Sequence, residues 1–165
     1  MTIPTLLQNT NQAELKTAWK RAYGNASQAY ITALSQDEDI FKGTSCSYTA
    51  SIPRWNAFTN SFNIIKNCNT NPGNCWSQSL PSNIPGHGGT IHLSDAQGQS
   101  IITADGMLWI TDNDGCSVIS VDVNGYKPPN TPNKDIFAFG LINRMYPYDI
   151  ISPEPADSSS KYLYE

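Results

Sequence analysis

The sequence has few charged residues, little basic charge and no hydrophobic run of transmembrane length. Charged residues make up 15% of its 165 positions, and 10 Lys and Arg stand against 14 Asp and Glu, for a net charge of -4. A protein that neutralises nucleic-acid phosphates needs a basic face, so this balance excludes nucleic acid as a partner recognised by general charge. A membrane-spanning helix needs about 20 consecutive apolar residues. None occurs in this chain.

The motifs of common catalytic sites are also missing. The chain has no Gly-x-Ser-x-Gly elbow, phosphate-binding glycine-rich loop or His-Glu-x-x-His pair. Cys116 and His92 could act together as a thiol nucleophile and its general base. The even number of cysteines instead favours a Cys116 that is bonded in a disulfide and inert. The segment 86–89, Gly-His-Gly-Gly, is similar to an oxyanion-hole loop but has no nucleophile motif beside it. We therefore predict no catalytic residues and expect that the protein is not an enzyme.

Four cysteines predict two disulfides and an oxidising compartment. A metal site in which His87 and His92 join the cysteines is disfavoured, because no Cys-x-x-Cys occurs and the six-residue spacing of Cys68 and Cys75 does not suit a zinc knuckle. Cys68 and Cys75 flank Asn-Thr-Asn-Pro-Gly-Asn, a turn-forming insert that predicts their pairing and leaves Cys46 with Cys116. Oxidised cysteines are inconsistent with the lack of an export signal. We therefore expect the natural protein to continue upstream of Thr2.

One long amphipathic helix is predicted from Ile3 to about Ser35. Its apolar residues recur at the spacing of a helix face: Leu15, Ala18, Trp19, Ala22, Ala26, Ala29, Tyr30 and Ala33. Such a helix is about 50 Å long, longer than a domain of this size is wide. Its front, with Ile3, Leu6 and Leu7, is expected to protrude and to meet another molecule or a membrane. The alternative is an ordinary helix that begins at Thr2 and packs fully on its own core.

The remaining sequence predicts an α+β fold in which the long helix packs on an antiparallel β-meander. A second helix is predicted over residues 54–67, with Pro53 just outside its start, and an irregular segment over 69–89. Asp105-Gly106 and residues 113–115 predict tight turns. The predicted strands are Thr90–Leu93, Ser100–Ala104, Met107–Thr111, Cys116–Val123 and Ile136–Ile142. We divide the chain into a spine helix (1–35), a globular head (36–148) and a flexible tail (149–165).

Four motifs together resemble the type IV pilin and type II secretion pseudopilin superfamily. They are Ile-Pro-x-Leu-x-Gln at residues 3–8, Tyr-Gly-Asn-Ala-Ser-Gln-Ala at 23–29, Ala-Asp-Gly-Met at 104–107, and the stretch from 120 to 139. That stretch reads Ser-Val-Asp-Val-Asn-Gly-Tyr-Lys-Pro-Pro-Asn and then Lys-Asp-Ile-Phe-Ala-Phe. The resemblance covers the chain from Ile3 to about Leu141. The family's basic leader, cleavage site, glutamate and apolar half-helix are absent from it.

The resemblance implies a function in filament assembly. The family's apolar helix anchors the subunit in the inner membrane and then bundles with copies of itself or with other pilins in the filament core. Residues Ile3, Pro4, Leu6 and Leu7 would accordingly be assembly residues, with Pro4 at the family's kink. The resemblance therefore implies that the protein is a structural subunit of a type IV pilus-like filament or of a type II secretion pseudopilus. It would be located in a cell-surface filament or in the periplasm.

Calcium is the one cofactor for which the sequence offers ligands. Oxygen donors lie along turns at Asp112, Asp114, Asp122, Asn124 and Asp135, with Gly115 and Gly125 allowing tight backbone geometry. The resemblance implies the same ion, because some pseudopilins bind calcium in loops. However, the EF-hand glutamate is missing, and Asp and Asn beside Gly are ordinary turn formers. Both interpretations stay open at this point.

The alternative function is that of a secreted, disulfide-stabilised binding module. Such a module would be calcium-dependent and would bind carbohydrate. Trp55, Trp76 and Trp109 would stack on sugars in that case, whereas core packing is the ordinary role of buried tryptophan.

Overall fold

The computed structural model of the protein describes residues 3–43, 48–69, 71–76, 84–86, 89–91, 99–111 and 118–148. It contains the helices α1 (Ile3–Gln36) and α2 (Tyr48–Thr59) and a 3₁₀ turn at Pro72–Asn74. The strands are β1 (Ile64–Asn67), β2 (Ile84–Gly86), β3 (Gly89–Ile91), β4 (Gln99–Thr103), β5 (Leu108–Thr111), β6 (Val118–Asp122), β7 (Ile136–Gly140) and β8 (Tyr146–Tyr148).

Six of these strands form one antiparallel sheet. Its strand order is β1-β4-β5-β6-β7-β8, while β2 and β3 form a separate hairpin. The predicted α+β class, with a long first helix and an antiparallel sheet, is confirmed. The Asp105-Gly106 turn is also confirmed: it joins β4 to β5, and Gly106 has φ +82°, which glycine adopts without steric cost.

Helix α1 packs on the sheet through a row of small side chains. Its buried alanines are Ala22, Ala26, Ala29 and Ala33. These alanines belong to the core that α1 shares with α2 and the sheet, and larger aromatic side chains complete that core. The Trp19 ring stacks on Phe139 with ring centroids 5.2 Å apart. The predicted apolar stripe is therefore confirmed. Among the described residues, no helix is both long and apolar enough to cross a membrane.

The second helix differs from the prediction in both of its boundaries. It was expected over 54–67 with Pro53 outside its start, but it covers Tyr48–Thr59 and contains Pro53. The end of the expected helix is strand β1, in which Ile64 lies opposite Thr103 of β4. Asn60 and Ser61 favour a turn, and the β-branched Ile64 and Ile65 favour a strand once β4 is available as a partner.

Two more strands were missed by the sequence analysis. Strand β2 lies within the segment expected to be irregular, and β8 follows the last predicted strand. Both have three residues, which is too short for an alternating pattern to be recognised. Strands β3 to β7 each overlap a predicted strand. The predicted turn at 113–115 and the predicted tail lie outside the described residues.

Both faces of the sheet are covered. On the helix side, Trp109 and Phe139 belong to the core that includes α1 and α2. On the other side, Leu108, Ile110 and Ile136 pack with Trp76, which follows the 3₁₀ turn. Every residue of β5 and β6 is consequently buried, including the polar Asp122 at the end of β6. The loop that follows Asp122 is where the sequence analysis placed oxygen ligands.

Candidate functional site: the loop between β6 and β7

Residues 123–135 connect β6 to β7 and have little conformational freedom. Three prolines fix their own φ angles, and the bond between Pro128 and Pro129 is cis. Gly125 has φ +70°, and Asn130 and Asn133 have φ 48° and 62°, a region that asparagine tolerates better than most residues. A Cβ added to Gly125 would lie 2.8 Å from the Gly106 carbonyl oxygen, so the loop packs directly on the β4–β5 turn.

Asp135 organises the second half of this loop. Its side chain is fully buried, and its two oxygens accept backbone N–H groups from Asn130 at 2.7 Å and Thr131 at 2.6 Å. Its backbone carbonyl accepts the Val123 N–H at 2.9 Å, which ties the end of the loop to its beginning. The carboxylate is therefore a fixed acceptor inside the loop.

Asp122 occupies the start of the loop and is also fully buried. Its Oδ1 accepts the Asn124 N–H at 3.1 Å, whereas its Oδ2 has no hydrogen-bond partner. The pKa of Asp122 is raised to about 8, chiefly by burial and also by the nearby Asp135 carboxylate, although hydrogen bonds from the Asn124 and Gly125 backbones partly offset the rise. The environment thus opposes a lone negative charge at this carboxyl group.

Two side-chain amide oxygens in the loop are also buried without a hydrogen-bond donor. Asn124 donates its Nδ2 to the Pro128 carbonyl at 3.4 Å, but its Oδ1 is buried without a donor. The Oδ1 of Asn130 is likewise buried and unpartnered. An unsatisfied buried acceptor costs about 1–3 kcal/mol, so three in one loop need a physical explanation. The other such atoms in the described part of the chain are Asn69 Oδ1, Trp76 Nε1, Gln99 Oε1 and Ser120 Oγ.

Within the described residues, no basic side chain forms an ion pair with Asp122 or Asp135. The ion pairs seen among these residues join Arg21 to Asp105 at 3.7 Å and Lys42 to Asp39, and neither involves Asp122 or Asp135. Across the same residues, no group of three or more His, Cys, Asp or Glu is placed to hold a metal ion. The loop instead combines two carboxylates with amide oxygens, which are hard donors suited to calcium or magnesium rather than zinc.

The structure brings together three of the five predicted calcium ligands. These are Asp122, Asn124 and Asp135, whereas Asp112 and Asp114 lie outside the described residues. Asn130 was missed by the sequence analysis. Its position directly after Pro128-Pro129 and before Thr131 indicates a turn, but only the folded loop brings its backbone N–H to the Asp135 carboxylate.

A disulfide lies next to the loop. Cys68 and Cys75 are bonded as predicted, with their Cα atoms 5.8 Å apart. The Tyr126 hydroxyl of the loop donates a hydrogen bond to the Cys75 carbonyl. The predicted partners Cys46 and Cys116 lie outside the described residues. The disulfide-closed segment and the loop are therefore joined by a hydrogen bond.

The front of α1 is the second region singled out by the sequence. The helix begins at Ile3, and Pro4 occupies its first turn, where no N–H is needed. The side chains of Ile3, Pro4, Leu6 and Leu7 lie outside the description. Residues 12–14 are exposed, and Leu15 is the first described side chain of α1 to pack against the core.

The three tryptophans proposed for sugar stacking are core residues. Trp55, Trp76 and Trp109 are all at most 2% exposed. A ring that stacks on a sugar must present its face to solvent, so these three offer no carbohydrate platform. The core-packing interpretation is confirmed for each of them.

Comparisons with known proteins found no family model, no curated protein and no solved structure that matches this chain. Its function is therefore inferred from its own residues and contacts.

Proposed function

We propose that this chain is a structural subunit of a type IV pilus-like filament or type II secretion pseudopilus, and that it assembles through α1. The observation that carries the proposal is the length of α1 relative to the body it packs on. The helix has 34 residues and is about 50 Å long. The longest strands have five residues, or about 17 Å.

The helix divides into two parts by its contacts. From Leu15 to Leu34, residues of α1 pack on the core or beside it. The part before Leu15 has 12 residues, from Ile3 to Glu14, and would be about 18 Å long. Helices in water draw most of their stability from a packed apolar face. A front carrying Ile3, Leu6 and Leu7 would obtain that packing from the same helix of neighbouring subunits.

The two parts of the helix would therefore have different roles. The rear of α1 stabilises the head through the alanine row, and the front is available for association. The resemblance to pilins supplies the order of events. The subunit would first be anchored in the inner membrane through an apolar segment before Ile3, and would then be transferred into a filament of identical or related subunits. The Cys68–Cys75 disulfide suits the oxidising space in which such a filament would stand.

The test is filament assembly by the complete gene product in its source cells. We expect the double substitution Leu6→Asp and Leu7→Asp to abolish filaments recovered by shearing and seen by electron microscopy. The reason is that each unpaired carboxylate would have to be buried between helices. Gln12→Asp adds a carboxylate at an exposed position of the same helix and should preserve the filament yield.

The same substitutions in the 165-residue chain show whether the head still folds. We expect its circular dichroism spectrum and thermal midpoint to be unchanged by the double substitution. Filaments at wild-type yield from the double variant would refute assembly through this end of the helix.

A further inference from the structure

A cleft lies between the rear of α1 and the β4–β5 turn, and its described lining is polar around the half-buried ring of Phe62. We propose that this cleft binds one neutral sugar ring through the side-chain amides of Asn25, Gln28 and Asn63. The inference concerns the folded head and the packed part of α1, so it does not depend on filament assembly.

Three segments of the chain form the cleft, and hydrogen bonds between them fix its walls. Helix α1 is joined to the β4–β5 turn by the Asn25 amide, whose Nδ2 donates to Asp105 Oδ2 at 3.2 Å. The same turn is joined to the segment between α2 and β1, because the Ala104 N–H donates to the Asn63 carbonyl at 2.8 Å. The cleft has a volume of about 310 Å³, which is at the lower end of the range for small-molecule pockets. It therefore has room for one small molecule.

The carboxylate of Asp105 is the charged group of the described lining, and it already has partners. Its Oδ1 accepts the Thr103 hydroxyl at 2.6 Å and the Met107 N–H at 3.4 Å. Its Oδ2 accepts the Asn25 amide at 3.2 Å, and the Arg21 Nε lies 3.7 Å away. A carboxylate has about four acceptor sites, so four donors surround this one and a cation offsets its charge. The cleft consequently favours a neutral ligand over an ion.

The other polar groups of the cleft are neutral and are available to a ligand. Within the described residues, the side chains of Ser61 and Asn63 form no hydrogen bond. Asn25 and Gln28 use their amide nitrogens on Asp105 and Thr32, and no donor to their side-chain oxygens is seen in the same part of the chain. Amides and hydroxyls together offer both donors and acceptors. Sugar hydroxyls also donate and accept, so they match this set in either direction.

The aromatic ring of Phe62 supplies the apolar side of the site. Its centroid lies 4.9 Å from that of Trp109, which is only 1% exposed and so supports Phe62 rather than acting as a stacking surface itself. The face of an aromatic ring is electronegative and attracts the C–H groups on one face of a sugar ring. A cube with the volume of the cleft has an edge of about 7 Å, the span of two extended residues, so one ring fits better than a length of peptide.

The proposal is tested by nuclear magnetic resonance on the nitrogen-15-labelled 165-residue chain. The probes are methyl β-D-glucopyranoside, methyl β-D-galactopyranoside and N-acetyl-D-glucosamine, each titrated separately. We expect at least one of them to move the side-chain amide resonances of Asn25, Gln28 and Asn63, while the backbone amides of residues 134–148 stay in place. The shifts should saturate with a Kd of about 1 mM, the affinity expected for a ligand of this size.

Two variants test which side chains bind the sugar. Asn63→Ala and Gln28→Ala each remove one amide at an exposed position, and each should weaken binding about three- to tenfold, the effect of one lost hydrogen bond. Asn56→Ala is the matched control, because it removes an exposed amide of α2 that is not among the lining residues and should leave the Kd unchanged.

Three results would overturn the proposal or a part of it. Resonances of the cleft that do not move with any of the three sugars at about 50 mM would exclude the site, since even millimolar binding is then near saturation. Wild-type affinity in both Asn63→Ala and Gln28→Ala would refute the assignment of the binding residues. Adenosine, a neutral ligand with a flat ring, serves as the competitor. Tighter binding of adenosine than of every sugar would refute the choice of a sugar.

Discussion

The hydroxyl of Tyr126 donates a hydrogen bond to the backbone carbonyl of Cys75, which lies 51 positions earlier in the chain. This contact joins the β6–β7 loop to the segment closed by the Cys68–Cys75 disulfide. The loop also presses Gly125 against the Gly106 carbonyl of the β4–β5 turn. The β6–β7 loop is therefore held from two sides by segments far from it in sequence.

Removal of the Tyr126 hydroxyl should loosen this connection. We expect Tyr126→Phe to lower the free energy of unfolding by about 1 kcal/mol, because a buried carbonyl loses its donor while the ring remains. The measurement is the midpoint of urea denaturation. Tyr23→Phe is the matched control, since Tyr23 is similarly exposed and no hydrogen bond from its hydroxyl is seen within the described residues. Equal midpoints for the two variants would contradict a stabilising role for the bond.

Thr103 should be sensitive to loss of its hydroxyl rather than of its methyl group. Its Oγ accepts the buried Trp109 Nε1–H at 3.2 Å and donates to Asp105 Oδ1 at 2.6 Å. Thr103→Val keeps the shape but leaves the indole N–H without an acceptor. We expect it to destabilise the fold by about 1–3 kcal/mol in chemical denaturation.

Thr103→Ser is the comparison that separates polarity from packing. It keeps the hydroxyl and deletes a methyl group, which costs about 0.8 kcal/mol when fully buried. The valine variant should therefore be the less stable of the two, although valine is the more hydrophobic residue. The reverse order would show that the hydrogen bonds of this turn contribute little.

The alanine row of α1 should not tolerate a larger side chain. We expect Ala26→Leu to cost about 1–3 kcal/mol, because Ala26 is fully buried in the core and a larger side chain would have to displace the groups packed around it. Ala13→Leu makes the same change at an exposed position of the same helix and should stay within about 0.5 kcal/mol of wild type. Thermal or urea unfolding of the two variants is the measurement. A stable Ala26→Leu variant would mean that the core has room for a larger side chain at this position.

Local chemistry was sufficient to predict several parts of the molecule. The stripe on α1 repeats with the helical period, so its existence and buried face followed from spacing alone. The Asp105-Gly106 hairpin and the Cys68–Cys75 bond each involve a few adjacent residues whose turn preferences agree. Asp122, Asn124 and Asp135 were recognisable as oxygen donors beside turns.

Other parts depended on partners distant in the chain. In the sequence, Ile64 and Ile65 continue the apolar spacing of a helix. In the structure they belong to a strand because they pair with β4, and the side chain of Ile65 is 65% exposed. The second apolar face of the sheet exists because Trp76 reaches Leu108 and Ile136 from another segment. Neither contact can be recognised from the spacing of apolar residues within one stretch of sequence.

The candidate site likewise has features that the sequence determines and features that depend on distant contacts. The sequence by itself determined which residues of the β6–β7 loop carry oxygen donors and which allow its turns, because these are properties of single residues and their neighbours. Only the tertiary structure decided that Asp122 and Asp135 are buried side by side and that the amide oxygens of Asn124 and Asn130 lack donors. Burial and the satisfaction of hydrogen bonds are set by contacts between segments far apart in the chain, and those contacts exist only once the sheet has formed.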